Sequence, residues 1–160
     1  MNNLLNKEAV QRVKNKLKEF DNSLEVVVLD NSARTANDAA ESLKTEVGSI
    51  VKSLLLRTKT SFLLCLVAGD KRCSLNKIKK ILGEKDVSMG NADQVKEITG
   101  FTIGGVSPIG HLNNLKIYID QSLSRFENIY GAAGHPHCVF KIDFGKLQKI
   151  TNGEVVDISE

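Results

Sequence analysis

Hydrophobic and polar residues alternate with a helical period near the start of the chain, in residues 6–20. The apolar positions of this segment are Val10, Val13, Leu17 and Phe20. Their spacing predicts an amphipathic helix, with Asn6 as its N-cap and Glu8 in its first turn. The next apolar segment, residues 24–30, is short and β-branched, so it predicts a buried strand.

Three further helices are indicated by cap and stop residues. They cover residues 35–43, 74–83 and 91–100, with Thr35, Ser74 and Asn91 as N-caps and Gly83 and Gly100 as stops. The apolar run at residues 62–68 is the clearest strand. A short helix leading into a strand is predicted over 46–58, further strands over 115–120, 127–133, 137–143 and 154–159, and a last short helix over 144–150.

The order of these elements predicts the fold class. Strands crowd the second half of the chain and helices are mixed among them, without a regular strand–helix alternation. This arrangement favours an α+β fold with a mixed sheet. We expect one domain over residues 1–160, with an N-terminal helix in residues 1–23 and the core in residues 24–159.

Composition and charge narrow the class of protein. The 160 residues are 41% hydrophobic and 26% charged, as in globular domains, and the net charge is +3. That charge permits nucleic-acid binding without requiring it. The longest apolar run is too short to span a bilayer, and the first residues lack the features of a signal peptide. Three cysteines, an odd number, indicate reduced thiols, so we expect a cytoplasmic protein with no membrane partner.

Residues 100–111 concentrate four glycines and one of the two prolines of the chain. The segment fits neither a P-loop nor a dinucleotide-binding fingerprint. One or two glycines would suffice for a turn between a helix and a strand. The larger number is also typical of a loop whose backbone N–H groups approach a carbonyl, a carboxylate or a phosphate. Both interpretations remain open from the residues alone.

Lys52 stands among apolar residues, in the segment SIVKSLLL. A lysine in such a place is usually exposed on an amphipathic element. The alternative is a half-buried ammonium whose three donors organise a polar substrate.

Two histidines and a cysteine fall close together in GAAGHPHC, residues 131–138. The spacing matches no metal-binding motif, so we expect no metal and no cofactor. The small residues before the histidines fit either tight packing or a small-ligand pocket. A serine hydrolase is not supported either, because the chain has no G-x-S-x-G motif.

Basic residues cluster between positions 71 and 80 with no acidic residue among them. They form either a solvated helix face or a rim that meets phosphates as sequence-independent charges. The cluster comprises Lys71, Arg72, Lys77, Lys79 and Lys80.

The order of these segments resembles the YbaK/ProX family, free-standing relatives of the editing domain of bacterial prolyl-tRNA synthetases. The resemblance covers roughly residues 24–159. Its most specific parts are G-x-x-x-GG-x-S-P-x-G, beginning at Gly100, and the lysine in I-V-K-S. It implies a compact fold with a curved mixed sheet, and hydrolysis of the ester bond of mischarged aminoacyl-tRNA, mostly tRNA(Pro).

The resemblance also implies roles for particular residues. Lys52 matches the catalytically required lysine of the family. The implied substrate-binding residues are Thr35, Gly104, Gly105, Ser107, Pro108, Gly110, Gly134 and His135. Binding of tRNA is expected from Lys71, Arg72, Lys77 and Lys80, or from a partner such as prolyl-tRNA synthetase. No oligomeric state follows from the sequence.

The expected chemistry needs neither a catalytic triad nor a metal. An aminoacyl ester is already activated, so a positioned water, backbone N–H groups and a well-placed ammonium suffice. The segment GAAGHPHC departs from the G-x-R-G form of cysteine-removing members, which favours alanine or 2-aminobutyrate as the amino acid removed. Cysteine, serine and threonine are the other candidates. A non-catalytic module that senses an amino acid or binds a synthetase is the alternative function.

Overall fold

The computed structural model describes residues 3–160. Within them, the five α-helices are α1 (Glu8–Phe20), α2 (Ala36–Leu43), α3 (Leu75–Leu82), α4 (Ala92–Thr99) and α5 (Phe144–Thr151). The eight strands are β1 (Val26–Val28), β2 (Val51–Arg57), β3 (Phe62–Ala68), β4 (Ser88–Met89), β5 (Lys116–Asp120), β6 (Ile129–His135), β7 (Cys138–Ile142) and β8 (Glu154–Val156). Short 3-10 helices cover Asn3–Asn6, Val47–Ser49 and Gln121–Arg125.

The strands form two sheets. A five-stranded mixed sheet has the order β4-β2-β3-β5-β8, with β2 antiparallel to both neighbours and β5 parallel to both of its own. A three-stranded antiparallel sheet has the order β1-β7-β6. An isolated parallel bridge between Ile50 and Tyr130 joins the two. The prediction of an α+β fold with a mixed sheet is confirmed, although the sequence did not separate the second sheet from the first.

The helix boundaries follow the predicted capping residues with one exception. The side chains of Thr35, Ser74 and Asn91 accept hydrogen bonds from the third residue beyond each cap. Gly83 and Gly100 end their helices in the left-handed region, with φ of 66° and 81°. The prediction for Asn6 is wrong, because Asn6 lies in a 3-10 turn and Lys7 precedes α1 without a side-chain cap.

The five-stranded sheet is covered on both sides, which explains the continuous apolar run of β3. One face of β2 and β3 packs against α1 and the three-stranded sheet, with Leu55, Leu64 and Leu66 buried there. The other face packs under α3, with Cys65, Val67 and Ile78 buried. Because strand side chains alternate between faces, neighbouring residues of β2 belong to different clusters. No helix in residues 3–160 is long and apolar enough to cross a membrane.

Candidate functional site

A cavity of about 400 Å³ lies beside β2. Its walls come from β2, from the start of α2, from the glycine-rich segment and from the β6–β7 hairpin. Its lining includes Thr35, Lys52, Ser53, Gly104, Ala132 and Val139. We refer to it as the first cavity.

The first cavity lies along the outer edge of β2. Strand β4 pairs only with Leu56 and Arg57, and the amide of Gly90 donates to the carbonyl of Leu55 at 2.9 Å. Alternate residues of an antiparallel strand direct their main-chain groups to the same edge. The N–H and C=O of Ser53 therefore face the edge that β4 leaves uncovered, where the cavity begins.

Lys52 stands at the border between the first cavity and a second one. Its side chain is half-buried, and its Nζ donates a hydrogen bond to the carbonyl of Lys71. Burial lowers the pKa of Lys52 below its usual value, an effect that the charges of Cys73 and Asp70 oppose. The Lys52 side chain is therefore half-buried rather than exposed on an amphipathic element.

The second cavity adjoins the first and shares Lys52, Leu54 and Met89 with it. Its remaining lining includes Asp70, Lys71, Arg72 and Cys73. The first cavity is mostly apolar, whereas the second is bordered by several charges. Lys52 thus lies between an apolar cavity and a second cavity that charged residues border.

The turn after β3 is fastened to the 3-10 helix at Gln121–Arg125. Both guanidinium NH groups of Arg125 donate to the Asp70 carboxylate, at 3.0 and 2.7 Å. The Arg125 hydrogen bonds hold the pKa of Asp70 below its usual value. The Lys71 carbonyl that accepts the Lys52 hydrogen bond follows directly in this turn, so Asp70 and Arg125 help to position Lys52. The sequence carried no signal for this pair, because the two residues lie 55 positions apart.

The three cysteines are free thiols. Cys65 and Cys138 are buried in strands, and Cys73 is half-buried at the second cavity. A hydrogen bond from Cys65 lowers the pKa of Cys73, and the Lys52 ammonium lowers it further. The same hydrogen bond, together with burial, raises the pKa of Cys65.

The glycine-rich segment approaches other main chain at close range. Gly104 lines the first cavity with φ of 98°, and a Cβ there would lie 2.8 Å from Arg34 Cγ. A Cβ on Gly105 would lie 2.9 Å from the main-chain nitrogen of His135. The Gly134 amide donates to the Gly105 carbonyl at 3.1 Å. The segment therefore packs directly on the end of β6, which side chains at these positions would prevent.

Residues 107–110 of the glycine-rich segment are buried beneath the residues that line the first cavity. Ser107, Pro108 and Gly110 are buried, and none of them lines either cavity. The Arg12 guanidinium of α1 donates to the carbonyls of Gly100 and Gly110, both at 2.9 Å, and lies 4.7 Å from the centre of the Phe101 ring. Sequence reasoning missed Arg12, whose partners lie 88 and 98 positions away.

The predicted site residues of the β6–β7 hairpin also lie behind the lining. Gly134 has φ of 88°, and a Cβ there would lie 2.8 Å from the main chain of Ala9 in α1. The His137 amide donates to Nδ1 of His135 at 3.0 Å, which shapes the turn. The carbonyls of Pro136 and His137 accept from the amides of Ala33 and Leu29, so the hairpin holds the segment that leads to Thr35.

No metal-binding arrangement is formed in the described part of the chain. Within residues 3–160 there is no group of three or more histidine, cysteine, aspartate or glutamate residues that could hold an ion. The hydrogen bonds of the His-Pro-His turn are structural ones.

The basic cluster divides into different environments. Lys71 and Arg72 line the second cavity. Lys80 is exposed on α3. Lys77 Nζ instead donates to Asp157 at 3.0 Å and to the carbonyl of Ser159 at 2.6 Å. The structure thus brings Lys71 and Arg72 close to Lys52, and it engages Lys77 within the protein.

Comparison with known proteins gives consistent results. A protein-family model described as an aminoacyl-tRNA editing domain matches residues 30–150. A candidate Cys-tRNA(Pro)/Cys-tRNA(Cys) deacylase, EbsC of Enterococcus faecalis, is 29% identical over 126 residues, which cover 78% of this chain and 77% of that protein. The proline–tRNA ligase of Thermosipho africanus is 32% identical over 110 residues, which cover 69% of this chain and 19% of the ligase.

A solved structure is similar over nearly its whole length. It is described as a candidate trans-editing enzyme for prolyl-tRNA synthetase and has a TM-score of 0.90 at 35% identity, covering 96% of this chain and 98% of that chain. Helix α1 lies before the residues that the family model matches, yet it supplies Arg12 to the glycine-rich segment.

Proposed function

This chain belongs to the aminoacyl-tRNA editing domain family, and on that premise we propose that it hydrolyses the ester bond of mischarged aminoacyl-tRNA in trans. The substrate we propose is tRNA(Pro) carrying a small wrong amino acid, one of alanine, 2-aminobutyrate, cysteine, serine and threonine. The observation that carries this proposal is the position of Lys52 between an apolar cavity and a second cavity bordered by charged residues. Since aminoacyl-tRNA is the substrate, we place the activity in the cytoplasm.

The two cavities match the two parts of an aminoacyl-tRNA end. The aminoacyl side chain enters the first cavity, whose apolar lining suits a small side chain. The terminal adenosine and its phosphates lie over the second cavity, where Lys71 and Arg72 supply positive charge. The ester between them then lies beside Lys52. Thr35 and Gly104 contact the substrate in the first cavity, whereas the buried glycines and the hairpin hold the lining in place.

The reaction follows from this placement. Water attacks the ester carbonyl carbon, a bond forms to the water oxygen, and the carbonyl oxygen becomes an oxyanion. The Lys52 ammonium and backbone N–H groups at the edge of β2 stabilise that oxyanion. The C–O bond to the ribose then breaks, a proton from the attacking water passes to the ribose oxygen, and the tRNA and the free amino acid leave. Burial disfavours the charged form of Lys52, whereas the hydrogen bond from Nζ to the Lys71 carbonyl and the nearby Asp70 carboxylate favour it in this role.

Binding of the tRNA beyond its terminal nucleotide is proposed for the exposed cations near the second cavity. Arg72 and Lys80 are free to meet phosphates, because neither side chain forms an ion pair within residues 3–160. Prolyl-tRNA synthetase is the proposed partner that supplies the mischarged tRNA.

The test is deacylation of tRNA(Pro) charged separately with alanine, 2-aminobutyrate, cysteine, serine, threonine and proline. We expect hydrolysis of one or more wrong amino acids and sparing of proline. Lys52→Ala should lower kcat by about 100-fold or more, the magnitude typical of losing an oxyanion-stabilising donor. Lys59→Ala is the matched control, because Lys59 is exposed and lines neither cavity.

Two results would contradict the proposal. Full activity in Lys52→Ala would remove the lysine from the mechanism. Failure to hydrolyse any of these esters, with retained binding of aminoacyl-tRNA, would instead favour a non-catalytic binding module.

A further inference from the structure

Ser53 lines the first cavity, and its hydroxyl is buried without a hydrogen-bond partner in the protein. Among buried side-chain nitrogen and oxygen atoms of residues 3–160, Ser53 Oγ is the one for which the protein supplies no partner. Ser53 alternates with Lys52 along β2, so its side chain lies on the opposite face of the strand. That face is the one on which Val51 and Leu55 enter the core. Because buried hydroxyls are normally paired, this atom calls for an explanation.

The surroundings of Ser53 identify the kind of group that could pair with it. The same cavity is lined by apolar side chains, among them Leu55, Val95, Val106 and Val139. None of the residues that line it is an aspartate or a glutamate. A positively charged substrate side chain placed there would be desolvated without a counter-charge, which is strongly unfavourable. A small neutral polar group on an otherwise apolar side chain fits both the hydroxyl and its environment.

We propose that Ser53 Oγ determines specificity by hydrogen bonding to a side-chain hydroxyl of the aminoacyl group. The favoured substrates are then seryl and threonyl esters, rather than esters of apolar amino acids of equal size. A hydroxyl both donates and accepts, so the two hydroxyls can pair in either direction, whereas a thiol is a weaker partner. This inference rests on the proposed function, because it assigns the substrate class of that same site.

The size of the expected preference follows from the cost of an unmade hydrogen bond. An apolar substrate of the same shape would bury the Ser53 hydroxyl without a partner, and a hydroxylated one would satisfy it. Serine and 2-aminobutyrate form the matched pair, because they differ only in a hydroxyl against a methyl group. We expect kcat/KM for seryl-tRNA(Pro) to exceed that for 2-aminobutyryl-tRNA(Pro) by about 10-fold.

The experiment measures kcat/KM for these two esters in the native protein and in three variants. In Ser53→Ala the preference for serine should disappear, mainly through slower hydrolysis of the seryl ester. Ser53→Thr keeps a hydroxyl and should retain the preference. Ser124→Ala removes an exposed serine hydroxyl elsewhere and should change neither rate. The Tm of Ser53→Ala should equal or exceed that of the native protein, because the lost hydroxyl had no partner.

Each contrary outcome has a separate meaning. An equal loss for both esters in Ser53→Ala would show that the hydroxyl contacts a part common to both, and would overturn the specificity role. If neither of these two esters is hydrolysed while another wrong aminoacyl ester is, the inference is overturned and the proposed function stands. If none of the wrong aminoacyl esters is hydrolysed, the proposed function fails, and binding decides the inference. The probes are then the amides of 3′-amino-3′-deoxyadenosine with serine and with 2-aminobutyrate, measured by calorimetry. Tighter binding of the seryl amide that Ser53→Ala abolishes would support the inference. Equal binding of both amides, or of neither, would overturn it.

Discussion

The Lys52 ammonium donates to a main-chain carbonyl, and that carbonyl belongs to a turn that the Asp70–Arg125 pair holds. The position of the proposed catalytic group thus depends on residues that do not touch the substrate. A Cβ on Gly48 would lie 2.8 Å from the Phe126 ring and 3.0 Å from the Asp70 carboxylate, so the pair is packed as well as bonded. Arg125 thus holds Asp70 and its turn in place, and the Lys71 carbonyl of that turn holds Lys52.

The stabilisation that the Asp70–Arg125 pair gives to the fold should decrease in acid. The pKa of Asp70 is lowered in the folded state, so the pair stabilises the fold above the pKa of an unfolded aspartate and ceases to do so as the pH falls through the folded value. We expect Arg125→Gln to lower Tm at about pH 6 and to differ less from the native protein at about pH 3. Thermal unfolding across this range checks it. A Tm difference that stays constant with pH would contradict this assignment.

The main-chain approach at Gly105 is a second prediction for a single residue. Gly105→Ala would place a Cβ 2.9 Å from the His135 nitrogen, and main chain cannot move aside as a flexible side chain can. We expect a loss of about 1–3 kcal/mol in the free energy of unfolding, measured with urea. Gly145→Ala is the control, because Gly145 lies in α5 and a Cβ there would meet only the Asp143 carboxylate, at 3.5 Å. That change should stabilise by about 0.5–1 kcal/mol. A similar response in the two variants would contradict the close-approach argument.

Among the elements, α1 connects regions that are distant in sequence. Its apolar side enters the core with Val10, Val13 and Leu17 fully buried, and its Arg12 fastens both ends of the glycine-rich segment. The helix was predictable from its hydrophobic period. Its role in holding the segment was not, because a guanidinium on a helix is ordinarily solvated.

Removal of the Arg12 guanidinium should make the glycine-rich segment less stable and more mobile. Arg12→Gln leaves the carbonyls of Gly100 and Gly110 without their charged donor, which we expect to cost about 2 kcal/mol in the free energy of unfolding. Hydrogen exchange of residues 100–111 should become faster than that of β3. Lys16→Gln, on the exposed side of the same helix, should change neither quantity. Unchanged exchange in Arg12→Gln would show that the segment holds its shape without α1.

Elements were predictable where one local signal was enough. The helices with Thr35, Ser74 and Asn91 as caps have matching side-chain hydrogen bonds, and β3 ends where Gly69 follows its apolar run. Strand β4 was missed because two residues carry no period. The prediction that Lys52 lies at the site came from the family resemblance. Ser53 was missed because a serine in a strand does not indicate which face of the strand borders a cavity. Pairings over long separations, as at Asp70 and Arg12, leave no local pattern.

At the scale of the whole molecule, the net charge is small. The net charge of +3 gives little general attraction for nucleic acid, so placement of the cations matters more than their number. Lys71 and Arg72 lie at the second cavity, and Lys80 is exposed on the neighbouring helix α3. Lys77, one turn earlier on α3, is engaged by Asp157.

Salt dependence distinguishes the two lysines of α3. A phosphate contact by Lys80 releases about one counterion, so Lys80→Gln should reduce the slope of log K against log salt by about 0.7–0.9. Lys77→Gln should leave the slope unchanged, because its ammonium already has a carboxylate partner. Binding of tRNA(Pro) at several salt concentrations checks both. An equal change in the two variants would mean that the ion pair with Asp157 opens on binding.

The long separations between Arg12 and its partners have a consequence for how the protein is made. Helix α1 is synthesised before the segment that it holds: the carbonyls that Arg12 binds emerge 88 and 98 residues later, and the carbonyl of His137 that the amide of Leu29 binds emerges later still. A chain released early from the ribosome would carry Lys52, Lys71 and Arg72 but no β6–β7 hairpin to close the cavity. The fold has a high contact order around its site, which predicts folding slower than that of a helical bundle of similar size. The candidate site is therefore assembled only after the β6–β7 hairpin has emerged.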